Sequence, residues 1–84
     1  METIGYTKAR NLMRQLDWKM LVEMDHGGGD AVSFALYHPK QPHQYKIRKD
    51  CGKKLYAECR VIGSKDYNTA ILCYDWDGSD ESNI

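Results

Sequence analysis

Three histidines, His26, His38 and His43, are the side chains in this sequence best suited to acid–base chemistry near neutral pH. Each stands beside a glycine or a proline, in the kind of turn where a histidine is ordinarily solvated. His38 and His43 are separated by four residues, but a zinc site needs three or four convergent ligands. The histidines therefore indicate neither a catalytic base nor a metal site.

The three cysteines are Cys51, Cys59 and Cys73, with seven and thirteen residues between them. This spacing does not match the close cysteine pairs of structural zinc sites. The first residues of the chain lack the basic and apolar regions of a signal peptide, and an odd number of cysteines argues against a disulfide framework. We interpret the cysteines as reduced thiols that pack like small apolar side chains.

Two further segments have compositions that bind ions in other contexts. The triple glycine at 27–29 could cradle a phosphate, but such loops lead into a helix, and here the next segment alternates like a strand. Asp75 and Asp77 flank Trp76 without the fixed spacing of a calcium loop. No serine, histidine and aspartate combine into a nucleophilic triad. We expect no catalytic residue, no metal and no cofactor, and therefore a protein that is not an enzyme.

Chain length also argues against a deep active site. A chain of 84 residues buries only about 60–65% of its unfolded surface, which leaves little core in which to form a substrate cavity. We predict a single domain over residues 1–77, followed by a flexible acidic tail over residues 78–84. The chain has no apolar run of the roughly 20 residues that span a bilayer, so we expect a cytoplasmic protein without membrane contact.

Charge is balanced overall but uneven along the chain. The formal net charge is zero, which gives no general attraction to nucleic acid or to membranes. Residues 40–65 contain eight basic and two acidic side chains, whereas residues 66–84 contain five acidic and no basic ones. The sequence therefore predicts a basic middle and an acidic end.

One segment has the apolar spacing of a helix. Between Thr7 and Asp17 the apolar residues recur at spacings of three, four and seven, with Thr7 as the N-cap. The members of this face are Ala9, Leu12, Met13 and Leu16. We expect this face to pack on a sheet.

The period then changes to two, which is typical of half-buried strands. Residues 18–25 and 32–37 form a predicted hairpin with the triple glycine at its tip, although Leu21 interrupts the alternation. The predicted inward residues are Trp18, Met20, Val22 and Met24 on one strand, and Val32, Phe34 and Leu36 on the other. Residues 38–43 contain two prolines and are predicted to be a connection.

A second hairpin is predicted from residues 44–49 and 53–62. Its tip is the three-residue loop at 50–52, with the glycine last and with Ile47 beside Leu55 on the inner side. The predicted inward residues are Tyr45 and Ile47, then Leu55, Ala57, Cys59 and Val61. The outer side of this ribbon is basic.

The fifth predicted strand, residues 69–76, is apolar on both sides. Leu72 and Tyr74 share one side, while Ile71 and Cys73 share the other. As the last strand of a meander it should lie at a sheet edge. The sequence thus predicts an α+β fold in which one N-terminal helix packs on a five-stranded antiparallel β-meander.

The fifth strand is the basis of our first functional hypothesis, a small protein-binding module. The partner-binding residues are predicted to be Tyr67, Ile71, Cys73, Tyr74 and Trp76. We expect a protein partner, and pairing through the edge of the fifth strand would also allow a homodimer. A chain of this size would also suit a viral or mobile-element inhibitor that docks on a host macromolecular complex.

The alternative hypothesis is a nucleic-acid-binding protein that uses the basic ribbon at 44–60. Its predicted binding residues are Lys46, Arg48, Lys49, Lys53, Lys54 and Tyr56. The lysines and arginine would hold phosphates, while the tyrosine would stack on a base. The recognition motifs of common RNA-binding modules are absent from the sequence.

Overall fold

The computed structural model describes residues 1–15, 17–25, 29–66 and 70–76, without the side chains of residues 65 and 66. These residues form two helices and six strands, which join in one mixed sheet, so the predicted α+β class is confirmed. The elements are β1 (Glu2–Ile4), α1 (Tyr6–Met13), β2 (Lys19–Met24), β3 (Ala31–His38), β4 (Gln41–Ile47), α2 (Lys49–Tyr56), β5 (Cys59–Asp66) and β6 (Ile71–Trp76). The prediction of one helix and five antiparallel strands was therefore wrong in detail.

The sheet is not a simple meander. Its strand order is β1-β4-β3-β2-β6-β5, with β1 parallel to β4 and the other neighbours antiparallel. The chain leaves the sheet after β4, passes through α2 and returns on the far side as β5. Consequently β6 lies between β2 and β5, and the prediction that residues 69–76 form an edge strand was wrong.

Helix α1 is shorter than the sequence predicted. It spans Tyr6–Met13 and is preceded by Gly5 as N-cap, so Thr7 lies inside the helix. Ala9 and Met13 are buried and Leu12 is half-buried, whereas Leu16 lies outside the described residues. Asp17 has a φ of 77°, a left-handed conformation that a helix cannot include, and it turns the chain into β2.

The hairpin of β2 and β3 confirms the period-two prediction at most positions. Trp18, Met20 and Val22 are buried, as are Phe34 and Leu36. Near the hairpin tip the register shifts, so that Met24 pairs with Ala31 instead of Val32. This β-bulge leaves Val32 at 42% exposure, and its predicted inward position was wrong. Residues 26–28 of the predicted tip lie outside the described residues.

Strand β4 begins earlier than the prolines suggested. His38 pairs with Gln41 across the two-residue turn Pro39–Lys40, and Pro42 lies within the strand. Strand β1 pairs with β4 only from Tyr45 to Ile47, so β4 has an open edge at Pro42. A proline is tolerated at an open strand edge, where its missing N–H need not interrupt the hydrogen bonds of the sheet.

The predicted hairpin around residues 50–52 does not exist, because Lys49–Tyr56 form helix α2. Cys51 and Leu55 are buried one turn apart, together with Gly52. A Cβ atom at Gly52 would collide with the ring of Phe34, so the helix packs directly on β3 through this glycine. The predicted pairing of Ile47 with Leu55 was therefore wrong.

Ile47 instead pairs with Phe34 on β3 and with Ile4 on β1. The strand that follows α2 begins at Cys59, which is half-buried. Ala57 is exposed and Val61 is 53% exposed, so neither occupies its predicted inward position.

Both helices lie on one side of the sheet, which we call the covered face. Its central residues are Met20, Val22, Phe34, Leu36 and Ile47, with Tyr74 and Trp76 on β6. Phe34 contacts Gly52 and Tyr56 of α2, and Ala9 and Met13 of α1 belong to the same buried cluster. The hydrophobic core is therefore the layer between these helices and the covered face.

Candidate protein-interaction surface

The opposite side of the sheet, which we call the open face, is formed by the alternate residues of the same strands. Its members are Lys19, Leu21 and Glu23 on β2, Ser33, Ala35 and Tyr37 on β3, Lys46 on β4, Arg60 on β5, and Ile71, Cys73 and Asp75 on β6. Directly paired residues on neighbouring strands project from the same face of a sheet. The registers therefore place Leu21 at the centre, between Ala35 on one side and Cys73 on the other.

The centre of the open face is apolar. Leu21, Ala35 and Cys73 are half-buried, as are the adjacent Tyr37 and Ile71. None of the members named above is fully buried, and neither described helix packs on this side. A sheet with one covered face usually presents polar side chains on the other face, so an apolar centre here requires an explanation.

Charged and polar side chains surround this centre and are held in place by contacts within the face. Lys19 Nζ lies 3.3 Å from a carboxylate oxygen of Asp75, and both side chains are only about a quarter exposed. Ser33 Oγ donates a hydrogen bond of 3.1 Å to Glu23 Oε1. The rim of the open face therefore has a defined charge pattern.

Tyr37 and Cys73 link two of the central strands. The phenol oxygen of Tyr37 and the sulfur of Cys73 are 3.5 Å apart, in a hydrogen bond to which either group can donate. Burial, reinforced by this hydrogen bond, raises the pKa of Tyr37 to about 12. Tyr37 therefore stays neutral at physiological pH and presents a ring with one polar end, which suits contact with another protein.

The residues predicted to bind a partner fall on both sides of the sheet. Ile71 and Cys73 lie on the open face, whereas Tyr74 and Trp76 lie on the covered face, and Tyr67 is outside the described residues. The Tyr74 ring packs 5.4 Å from that of Tyr56, and burial raises the pKa of Tyr74. The Trp76 ring lies beneath the Arg10 guanidinium at 5.5 Å.

Sequence reasoning missed three residues at the apolar centre of the open face, namely Leu21, Ala35 and Tyr37. Leu21 was visible only as an interruption of the β2 alternation, and Tyr37 as an outward aromatic on β3. Their shared surface depends on β6 inserting beside β2, a pairing between distant segments. No local pattern in the sequence contains that information.

The basic residues of the predicted ribbon are likewise redistributed. Lys46 lies on the open face of β4, whereas Lys49, Lys53 and Lys54 belong to helix α2, and Arg48 is its N-cap. Tyr56 is half-buried, with its ring between those of Phe34 and Tyr74. The predicted stacking of Tyr56 on a base has no support in this arrangement.

The two described histidines pack against aromatic rings. His38 lies 5.3 Å from the Trp18 ring, and its Nδ1 accepts a hydrogen bond from the Lys40 backbone N–H. His43 lies 4.6 Å from the Tyr45 ring. Within the described part of the chain, no three histidine, cysteine or acidic side chains come together as a metal site would require.

Comparison with known proteins gave no relative: no protein-family model, curated protein or solved structure matches this chain. Of the two described helices, neither has the length and apolar composition needed to cross a membrane.

Proposed function

We propose that this protein binds another protein through the open face of its sheet. The observation that carries the proposal is the row Ala35–Leu21–Cys73, an apolar centre on the side that neither described helix covers. Protein interfaces have this composition, with an apolar centre from which charges are depleted and a polar rim. Apolar side chains gathered on an uncovered sheet face also favour association over solvation.

Tyr37 and Ile71 extend the apolar centre on either side of the row. Tyrosine contributes a large, rigid contact area with one polar end, which is why it is frequent among the residues that dominate binding energy. The Lys19–Asp75 pair and Glu23 at the rim would select a partner with complementary charges and fix its orientation.

Face-to-face contact is favoured over strand addition at β6. The backbone of β6 pairs with β2 on one side and with β5 on the other, so it has no free edge to recruit a further strand. The partner therefore packs its own apolar surface on the side chains of Leu21, Ala35 and Cys73.

The test is affinity capture from native host extract after nuclease digestion, with the wild-type chain, Ile71→Lys and Val61→Lys as baits. Ile71 lies on the open face, whereas Val61 is an exposed apolar residue whose register with Tyr74 places it on the other side of the sheet. Captured proteins are then purified and titrated against each bait. Thermal unfolding of each variant establishes that the fold is retained.

We expect one protein to bind the wild-type chain and Val61→Lys, and to lose affinity for Ile71→Lys by at least about tenfold. Retention by both variants, or by neither, would contradict the assignment of the open face. A partner captured only from extract that has not been digested with nuclease would also overturn it, since that partner would then be held through nucleic acid.

A further inference from the structure

The outer surface of the two helices and their flanking residues, which we call the helix layer, is strongly basic. Its basic side chains are Lys8, Arg10, Arg14, Arg48, Lys49, Lys53 and Lys54. Residues 6–15 and 48–58 contain these seven and only two acidic side chains, Asp50 and Glu58, although the whole chain is neutral. The positive charge of the protein is thus concentrated on the side opposite the open face.

Folding brings the two basic segments together. The Lys54 ammonium lies 4.6 Å from the centre of the Tyr6 ring, which places α2 beside α1. The Tyr6 hydroxyl donates to the Glu58 carboxylate at 2.7 Å, and Arg10 Nε lies 3.9 Å from the same carboxylate. These contacts join residues more than forty positions apart, so the sequence alone does not show a single basic surface.

The lysines of α2 point outward because its other side is occupied by the core. Cys51, Gly52 and Leu55 are buried, which leaves Lys49, Lys53 and Lys54 across the exposed arc. Asp50 is engaged by Arg48 at 3.4 Å. Lys49 and Lys53 are one helical turn apart and form no ion pair with the described residues.

We propose that the helix layer binds the phosphate backbone of a nucleic-acid duplex. Phosphates supply the regularly spaced negative charge that a cluster of lysines and arginines neutralises. This site differs from the predicted β-ribbon, because it combines both helices and excludes Tyr56 as a stacking platform. It is also separate from the protein-binding open face.

The polar composition of the helix layer selects nucleic acid over a protein or a membrane. The exposed residues of the helices are Thr7, Lys8 and Asn11 on α1, and Lys49, Asp50, Lys53 and Lys54 on α2. None is apolar, whereas a protein interface needs an apolar centre and an amphipathic membrane helix needs an apolar side. A wholly polar and positive surface is characteristic of protein–DNA contacts.

The tyrosines near the helix layer are not available for stacking on bases. Tyr6 lies under Lys54, and Tyr45 lies under Lys8, whose ammonium is 4.9 Å from the ring centre. Both tyrosines are half-buried. The contacts are therefore with phosphates alone, and we expect binding to show no preference for sequence.

The test is a fluorescence anisotropy titration of a labelled duplex of about 20 base pairs at salt concentrations from about 50 to about 200 mM. The wild-type chain is compared with Lys49→Gln/Lys53→Gln/Lys54→Gln. We expect the logarithm of the wild-type association constant to fall linearly with the logarithm of salt. The triple variant should bind more weakly, with a slope smaller in magnitude by close to three.

The matched control is Lys40→Gln/Lys46→Gln/Arg60→Gln, which removes the same charge from exposed residues outside the helix layer. Relative to the wild type, the control should lower the magnitude of the salt slope by less than half as much as the first triple variant does. Equal losses in both variants would show a general charge effect and overturn the site. Absence of wild-type binding at about 50 mM salt, or equal affinity for polyglutamate or phosphatidylserine vesicles, would overturn it as well.

Discussion

The two faces of the sheet are built from the same strands, but their apolar side chains are buried to different extents. On the covered face Met20, Val22 and Leu36 are completely buried, whereas Leu21 and Ala35 on the open face remain half-buried. Because successive residues of a strand alternate between faces, this difference arises from where the helices pack, not from the strands themselves. Apolar side chains on the covered face are required for folding, and those on the open face are available for binding.

The largest expected effect comes from truncating one leucine on each face. Leu36→Ala should lower the free energy of unfolding by about 3 kcal/mol, because Leu36 is fully buried and its loss leaves a cavity. Leu21→Ala should cost about 1 kcal/mol, because the side chain is only partly buried and already contacts solvent. Urea denaturation of both variants measures the difference directly.

Equal losses from the two leucine variants would show that the open face is also internal. In that case the apolar row around Leu21 would belong to the core, and the proposed protein interface would have to be abandoned. A near-zero loss from Leu36→Ala would instead contradict the position of the helices over the sheet.

The next effect concerns two glycines and the space around them. Gly52→Ala should lower stability by about 2 kcal/mol, because the new Cβ would collide with Phe34 and force α2 away from β3. Gly63→Ala on β5 should be neutral or stabilise the protein by up to about 1 kcal/mol, since nothing lies within 4 Å of its Cβ position. Thermal unfolding distinguishes them, and a harmless Gly52→Ala would refute the close contact.

Local periodicity accounts for the elements that were predicted correctly. Ala9 and Met13 repeat at helical spacing, while Met20 with Val22 and Phe34 with Leu36 alternate, so α1 and the β2–β3 hairpin could be anticipated. The alternation from Leu55 to Val61 imitates a strand, although Cys51 and Leu55 are spaced for a helix. The contact of Gly52 with Phe34 favours the helix, and it exists only in the tertiary structure.

The candidate site was predictable only in part, for the same reason. Period two correctly separated Ile71 and Cys73 from Tyr74 on the opposite side of β6. Which of these two sides is covered depends on the position of α2, which packs against Tyr74. The residues that lie beside Leu21 depend on the pairing of β6 with β2. Strand β1 has only three residues, too few for a periodic signal.

Alkaline pH should distinguish the open face through Tyr37. Its pKa of about 12 in the folded protein exceeds the ordinary value near 10, so the unfolded chain releases this proton first. The contribution of Tyr37 is therefore fully present below about pH 10 and is lost as pH rises toward 12. Tyr37→Phe should show a smaller decrease in urea midpoint between about pH 9 and about pH 11 than the wild type.

Tyr6 and Tyr74 also have raised pKa values, the first through burial and hydrogen bonding to Glu58, the second through burial. The wild type and Tyr37→Phe share both residues, so the difference between the two proteins isolates Tyr37. Identical pH profiles of the wild type and Tyr37→Phe would contradict the half-buried contact of Tyr37 with Cys73. An ultraviolet titration that gives Tyr37 the ordinary tyrosine pKa near 10 would contradict it as well.

The smallest expected effect is the coupling between Lys19 and Asp75 at the rim of the open face. Both side chains retain about a quarter of their exposure, so solvent screens the pair and limits its contribution to below about 1 kcal/mol. A double-mutant cycle with Lys19→Met and Asp75→Asn measures this coupling, which should shrink in about 1 M salt.

A coupling that persists in salt would mean that the rim is more enclosed than its exposure indicates. If coupling is absent even at low salt, the rim charges are not held together in the free protein. Partner binding would then have to order them, which would slow association with the open face and weaken its charge-based selection.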